Sequence, residues 1–146
     1  MLAGLFLLWL WRPERQVERH TGNFLRAVER NDWTRMADFI ATDYQDQWGN
    51  DRALVLARTR ELFRYLRNVR FNAPYPLIGI DHRNATWQAK ITISGDQNEA
   101  MMMLKERVNS LPAPFTLNWR RLSGKPWDWK LVRVSNPDLA IPEFAE

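Results

Sequence analysis

Ala113–Pro137, APFTLNWRRLSGKPWDWKLVRVSNP, carries the least ambiguous local signal in the chain. Phe115, Leu117 and Trp119 alternate with polar neighbours, Ser123-Gly124-Lys125-Pro126 supplies turn chemistry, and Trp127, Trp129 and Leu131 alternate again on the return. That pattern predicts a β-hairpin held together by aromatic cross-strand neighbours. A lone hairpin is marginal in water, so its indoles need a second layer, and only the amphipathic first half of the chain can supply it. The expected architecture is therefore α+β, with helices covering one face of an antiparallel sheet.

At 146 residues the chain is one domain's worth, long enough to bury a core without covalent staples. It has no cysteine, which excludes a disulfide framework and any thiolate metal site. Eight tryptophans and seven phenylalanines argue for an aromatic-rich core or cavity. The balance of 21 Lys+Arg against 17 Asp+Glu gives +4, which suits solubility and is too small to argue for nucleic acid.

Working outward, Met1–Trp11, MLAGLFLLWLW, is apolar until Arg12-Pro13 stops it. It falls short of the roughly 20 residues needed to span a bilayer, and it has neither the basic start nor the cleavage site of a signal peptide. The expectation is the downstream half of a membrane anchor, with residues 1–19 touching the membrane and Arg12, Arg15 and Arg19 at the headgroups. The alternative is an apolar arm packed on a partner subunit. A membrane-associated placement on the periplasmic or cell-envelope side is favoured over a cytoplasmic one. The chain then divides into an apolar segment at 1–12, a domain at 13–136 and a surface tail at 137–146.

From Pro13 a helix is signalled, with Val17, Thr21, Phe24, Leu25 and Val28 on one stripe and most of the arginines opposite. Asp32 caps a second, short helix, and Asp43–Trp48 alternates like a strand with Tyr44, Asp46 and Trp48 on one face. A third helix starts at Asn50 or Asp51 and closes at Asn68. Strands are expected over 69–72, 77–82 and 86–94. A short helix follows over 96–110, with Asp96 and Glu99 at capping-box spacing.

This element order, with Glu29-Arg30-Asn31-Asp32-Trp33, Ile40-Ala41-Thr42-Asp43-Tyr44, Gly49 and Trp129-Lys130-Leu131-Val132-Arg133-Val134, resembles the nuclear transport factor 2-like superfamily. That cystatin-like cone fold is shared with ketosteroid isomerases and polyketide cyclases. The resemblance implies three N-terminal helices packed on a curved antiparallel β-sheet. It also implies, for members that catalyse, a tyrosine on the first helix and an aspartate base on the first strand. By spacing those positions fall on Phe24 and Trp48. Neither side chain can donate to an oxyanion or abstract a carbon-bound proton, so the isomerase mechanism does not transfer.

Four other residues are candidates for chemistry. Asp46 shares its face with Tyr44, so burial there would raise its pKa toward that of a general base, with the Tyr44 hydroxyl as donor. The plainer alternative is an exposed carboxylate. His82 would sit at a cavity rim, or in a turn, and His20 on the flank of the first helix stripe. Phe24, Tyr44, Asp46, Trp48, Phe63, Trp87, Trp119 and Trp129 are expected to line the cone. Two isolated histidines give no metal-ligand spacing, and no cofactor motif occurs. Trp127 and Trp129, if they face away from the core, would pair two copies through the sheet. The favoured function is a non-catalytic domain binding a small apolar ligand or a protein. The alternative is a small isomerase or dehydratase with Asp46 as base, assisted by Tyr44 or His82.

Overall fold

A computed structural model describes residues 2–139. A short helix α1 (Leu2–Leu10) precedes α2 (Pro13–Glu29), whose proline occupies the first turn, where a missing N–H costs nothing. Val17, Thr21, Phe24, Ala27 and Val28 form its buried stripe, and Asn31, at φ 56, turns the chain away. Asp32 caps α3 (Trp33–Phe39) by accepting from Arg35 N–H at 3.2 Å, and Asp51 caps α4 (Arg52–Phe63) by accepting from Leu54 N–H at 2.9 Å. Then come β1 (Arg70–Asn72), β2 (Leu77–Asp81), β3 (Asn84–Ala89), β4 (Thr92–Ser94), α5 (Glu99–Asn109), β5 (Phe115–Arg121) and β6 (Trp129–Ser135).

Four strands form an antiparallel sheet in the order β2-β3-β5-β6, and β1 pairs with β4 in a separate two-stranded ribbon. α2 and α3 lie on one face of the large sheet, towards which Ala85, Trp87, Ala89, Leu117, Trp119, Trp129 and Leu131 are buried, while α5 packs on β4 of the ribbon. Asn118 pairs with Arg133 but Trp119 with Leu131, so Val132 is the extra residue of a β-bulge. The β6 edge is covered by the chain after α3, where Ala41 N–H donates to Leu131 O at 2.9 Å and Gln45 N–H to Val132 O at 3.2 Å. The expected α+β layering, helices against a multi-stranded antiparallel sheet, is what the molecule has.

Several local expectations change. Asp43–Trp48 is a loop, not a strand, because the Asp46 carboxylate bonds the backbone of its own loop. The hairpin's connection runs over 122–128, longer than Ser123–Pro126, so Trp127 lies in the turn and is 54% exposed while Trp129 is 2% exposed. Residues 99–109 are helical, capped by Asn98 in place of Asp96, with Met101 N–H donating to the Asn98 side chain at 2.7 Å. The expected membrane-associated placement is overturned. The apolar run contributes a nine-residue helix, about 14 Å long, and no helix among the described residues is long and apolar enough to cross a membrane. Of the expected tail at 137–146, residues 140–146 lie outside the described residues.

Candidate functional site

The interior beneath α2 is filled by aromatic rings. Trp119, fully buried on β5, is met edge-on by Phe24 at 6.3 Å, Phe39 at 6.4 Å and His20 at 6.0 Å between ring centroids. Such T-shaped packing is favourable in itself and fills the space where a cone cavity was expected. Its one unsatisfied element is the Trp119 Nε1–H, buried without a hydrogen-bond partner among the described residues.

Asp46 is buried and its carboxylate is fully engaged. Oδ1 accepts from Trp48 N–H and Asn50 N–H, both at 3.0 Å, while Oδ2 accepts from the Tyr44 hydroxyl at 2.9 Å and the Asn50 side-chain amide at 3.2 Å. Arg58 in turn donates to Asn50 Oδ1 at 2.5 Å. A general base needs a lone pair aimed at substrate, and here four donors from within residues 44–50 occupy the carboxylate. Burial pushes the Tyr44 hydroxyl well above the ordinary tyrosine range, and the adjacent Asp46 charge adds to the effect. Tyr44 is thus a hydrogen-bond donor to Asp46.

The other sequence candidates are dispersed. His82 sits at φ 56 in the β2–β3 turn, 94% exposed, with Asp81 3.7 Å away. His20 bridges two elements, its Nδ1 lying 2.8 Å from Gln16 O and its Nε2 2.9 Å from Trp127 O. The Trp48 indole donates to Leu139 O at 2.9 Å and so ties down the chain after β6. Phe63 packs edge-on to Trp33 at 5.8 Å, and the Trp129 indole donates to Pro126 O at 3.1 Å. The exposed tryptophan pair that would have joined two copies is split, one in the core and one in the turn.

Two open grooves lie elsewhere. One, of about 690 Å³, runs over the outer face of the sheet past Thr86, Asn118, Arg120 and Arg133, and Asp43 on its rim accepts from Arg120 at 2.7 Å. The other, about 700 Å³, lies between α2 and the β1–β2 connection. Its floor is Phe71, Ala73, Pro76 and Trp87, and its wall is the second face of α2 with Arg19, Gly22, Asn23 and Arg26. Glu29 Oε2 accepts from Phe71 N–H at 2.7 Å, which fixes the wall against the floor. Of the eight expected lining residues, Trp87 borders this groove and Trp119 the outer one. The sequence did carry a signal for the α2 groove. Residues 19, 22, 23 and 26 fall at helical spacing on one stripe, with a glycine inside the helix.

No protein-family model and no curated protein matches the chain. Solved structures do. A Bdellovibrio bacteriovorus protein superposes with a TM-score of 0.64 at 12% identity, over 83% of this chain and 38% of that one. A cystatin-like-fold protein from Nostoc punctiforme matches with a TM-score of 0.60 at 16% identity, over 85% of this chain and 91% of that one. A nuclear transport factor 2-like protein from Pseudomonas putida matches with a TM-score of 0.62 at 12% identity, over 83% of this chain and 82% of that one. The chain has the nuclear transport factor 2-like fold. Identities this low carry the fold and nothing of activity, because nuclear transport factor 2-like scaffolds host unrelated functions. The chain spans 38% of the length of the Bdellovibrio protein.

Proposed function

We propose that the protein is a non-catalytic binding domain and that it takes its ligand in the groove between α2 and the β1–β2 connection, outside the Trp119-centred interior. The observation that carries this reading is the state of Asp46. The chain's best candidate base has its carboxylate held by four internal donors, whereas the α2 groove keeps an apolar floor and polar wall groups open to solvent. Binding is tested by recording ¹H–¹⁵N spectra during titration with 2-naphthoate and, separately, 2-naphthalenemethanol. Saturable shifts at Asn23, Phe71 and Trp87, lost in Gly22→Phe, are expected. Shifts confined to the neighbourhood of Tyr44 and Asp46 would instead support the isomerase or dehydratase reading.

A further inference from the structure

The wall of the α2 groove is chemically one-sided in a way that its formal charges conceal. Glu18 and Glu29 stand there with Arg19 and Arg26, a neutral sum. Glu18, however, is paired with Arg15 at 2.9 Å, and Glu29 accepts from Phe71 N–H. The side chains of Arg19, Asn23 and Arg26 make no hydrogen bond or ion pair among the described residues. What the wall offers an incoming molecule is therefore two guanidinium groups seven residues apart, with an amide donor between them on the same helical stripe. Guanidinium is the group best suited to a planar carboxylate, which it meets with two parallel hydrogen bonds.

Gly22 adds a second, independent observation. It lies inside a seventeen-residue helix, where glycine costs about 1 kcal/mol relative to alanine. A Cβ built there meets nothing within 4 Å, so packing against neighbours does not require the glycine. What its missing side chain provides is clearance between the two arginines, directly over the apolar floor. Next in sequence to Pro76 of the groove lining, Tyr75 stands between Pro74 and Pro76 in the left-handed region at φ 54 and is 94% exposed. A non-glycine residue is held there at a cost, and such strain concentrates at ligand-binding loops.

We propose that the α2 groove binds a small organic anion, a flat apolar body carrying one carboxylate, with Arg19 and Arg26 clamping the carboxylate and the body lying over Gly22 on Phe71, Pro76 and Trp87. This rests on the groove being the binding site. It adds the charge and shape of the ligand.

The probes are 2-naphthoate, its neutral counterpart 2-naphthalenemethanol and its cationic counterpart 2-naphthylmethylammonium, titrated by calorimetry into wild type, Arg19→Gln/Arg26→Gln and Gly22→Phe. The carboxylate is expected to bind at least about tenfold tighter than either counterpart, as charge-assisted hydrogen bonds require. The double arginine variant should lose that preference while still binding the neutral probe, and Gly22→Phe should bind none of the three. Arg19 and Arg26 are exposed, and Gly22→Ala, checked by circular dichroism, controls for helix integrity. Equal affinity for all three probes, abolished by Gly22→Phe, would overturn the anion clamp while leaving the groove as the binding site. Binding of none of them to wild type, or binding untouched by Gly22→Phe, would sink both.

Discussion

Asp46 and Trp119 are both enclosed by the fold, and their hydrogen bonding is opposite. Every lone pair that Asp46 presents has a donor, and the Trp119 N–H has no acceptor among the described residues. Asp46→Asn turns an amide N–H towards donors that were bonded, so stability should fall by about 2 kcal/mol in urea unfolding. An unchanged midpoint would show that the loop does not depend on the carboxylate. Trp119→Phe and Trp129→Phe remove the same atoms from similarly buried sites, but only Trp129 has an acceptor to lose, Pro126 O at 3.1 Å. The Trp129 variant should therefore be the less stable by about 1 kcal/mol, with the unfolding midpoints of the pair giving the comparison. At this scale the sequence placed Asp46 correctly beside Tyr44, since a two-residue spacing is visible in it. It could not reveal that Asn50 and two backbone N–H groups converge on the same carboxylate.

Elements meet through His20, which joins α2 to the β5–β6 turn. Both ring nitrogens face carbonyl oxygens, yet a neutral imidazole carries a single N–H, so only one carbonyl is served at a time. Burial pushes His20 below its ordinary value of 6.5, Lys130 and Arg19 push the same way, and the two carbonyls oppose them. As pH falls the unfolded chain takes up the proton first. The neutral ring's contribution is thus complete above about 6.5 and is lost as pH drops through the folded value. Thermal melts from about pH 8 to about pH 5 should show a falling midpoint that flattens in His20→Gln. Parallel slopes in the two proteins would mean that other groups carry the effect. The helix α2 itself was legible from its apolar stripe, and the hairpin from its alternation. Residues 43–48 alternate like a strand without being one, because a polar side chain bonding its own loop backbone also buries every second residue, and so imitates a pleat.

The whole molecule is closed by Asn136, which is fully buried and links three distant segments. Its backbone exchanges hydrogen bonds with the Gln47 side chain, both at 2.8 Å, its amide donates to Ala113 O at 3.0 Å, and its side-chain oxygen accepts from Asp138 N–H at 2.9 Å. Asn136→Ala removes two of these in a site without solvent. It should cost about 2–3 kcal/mol, read as a lower denaturant midpoint at an unchanged slope. A variant as stable as wild type would show that the chain after β6 is not part of the cooperative unit.

Periodicity and turn chemistry in the sequence were enough for the α+β class, the long helix, the capped short helix and the Trp-rich hairpin, because each depends on neighbours within a few positions. The filled interior, the consumption of Asp46 and the groove on the far side of α2 were decided only by the tertiary structure. For the interior and the groove the deciding partner comes from another element, Phe39 and His20 against Trp119 and the β1–β2 connection against residues 19–26, whereas Asp46 is consumed by donors of its own loop, whose convergence depends on how that loop is folded. A sequence states which side of an element is apolar. What covers that side, and what is left open, follows from how the elements are laid together.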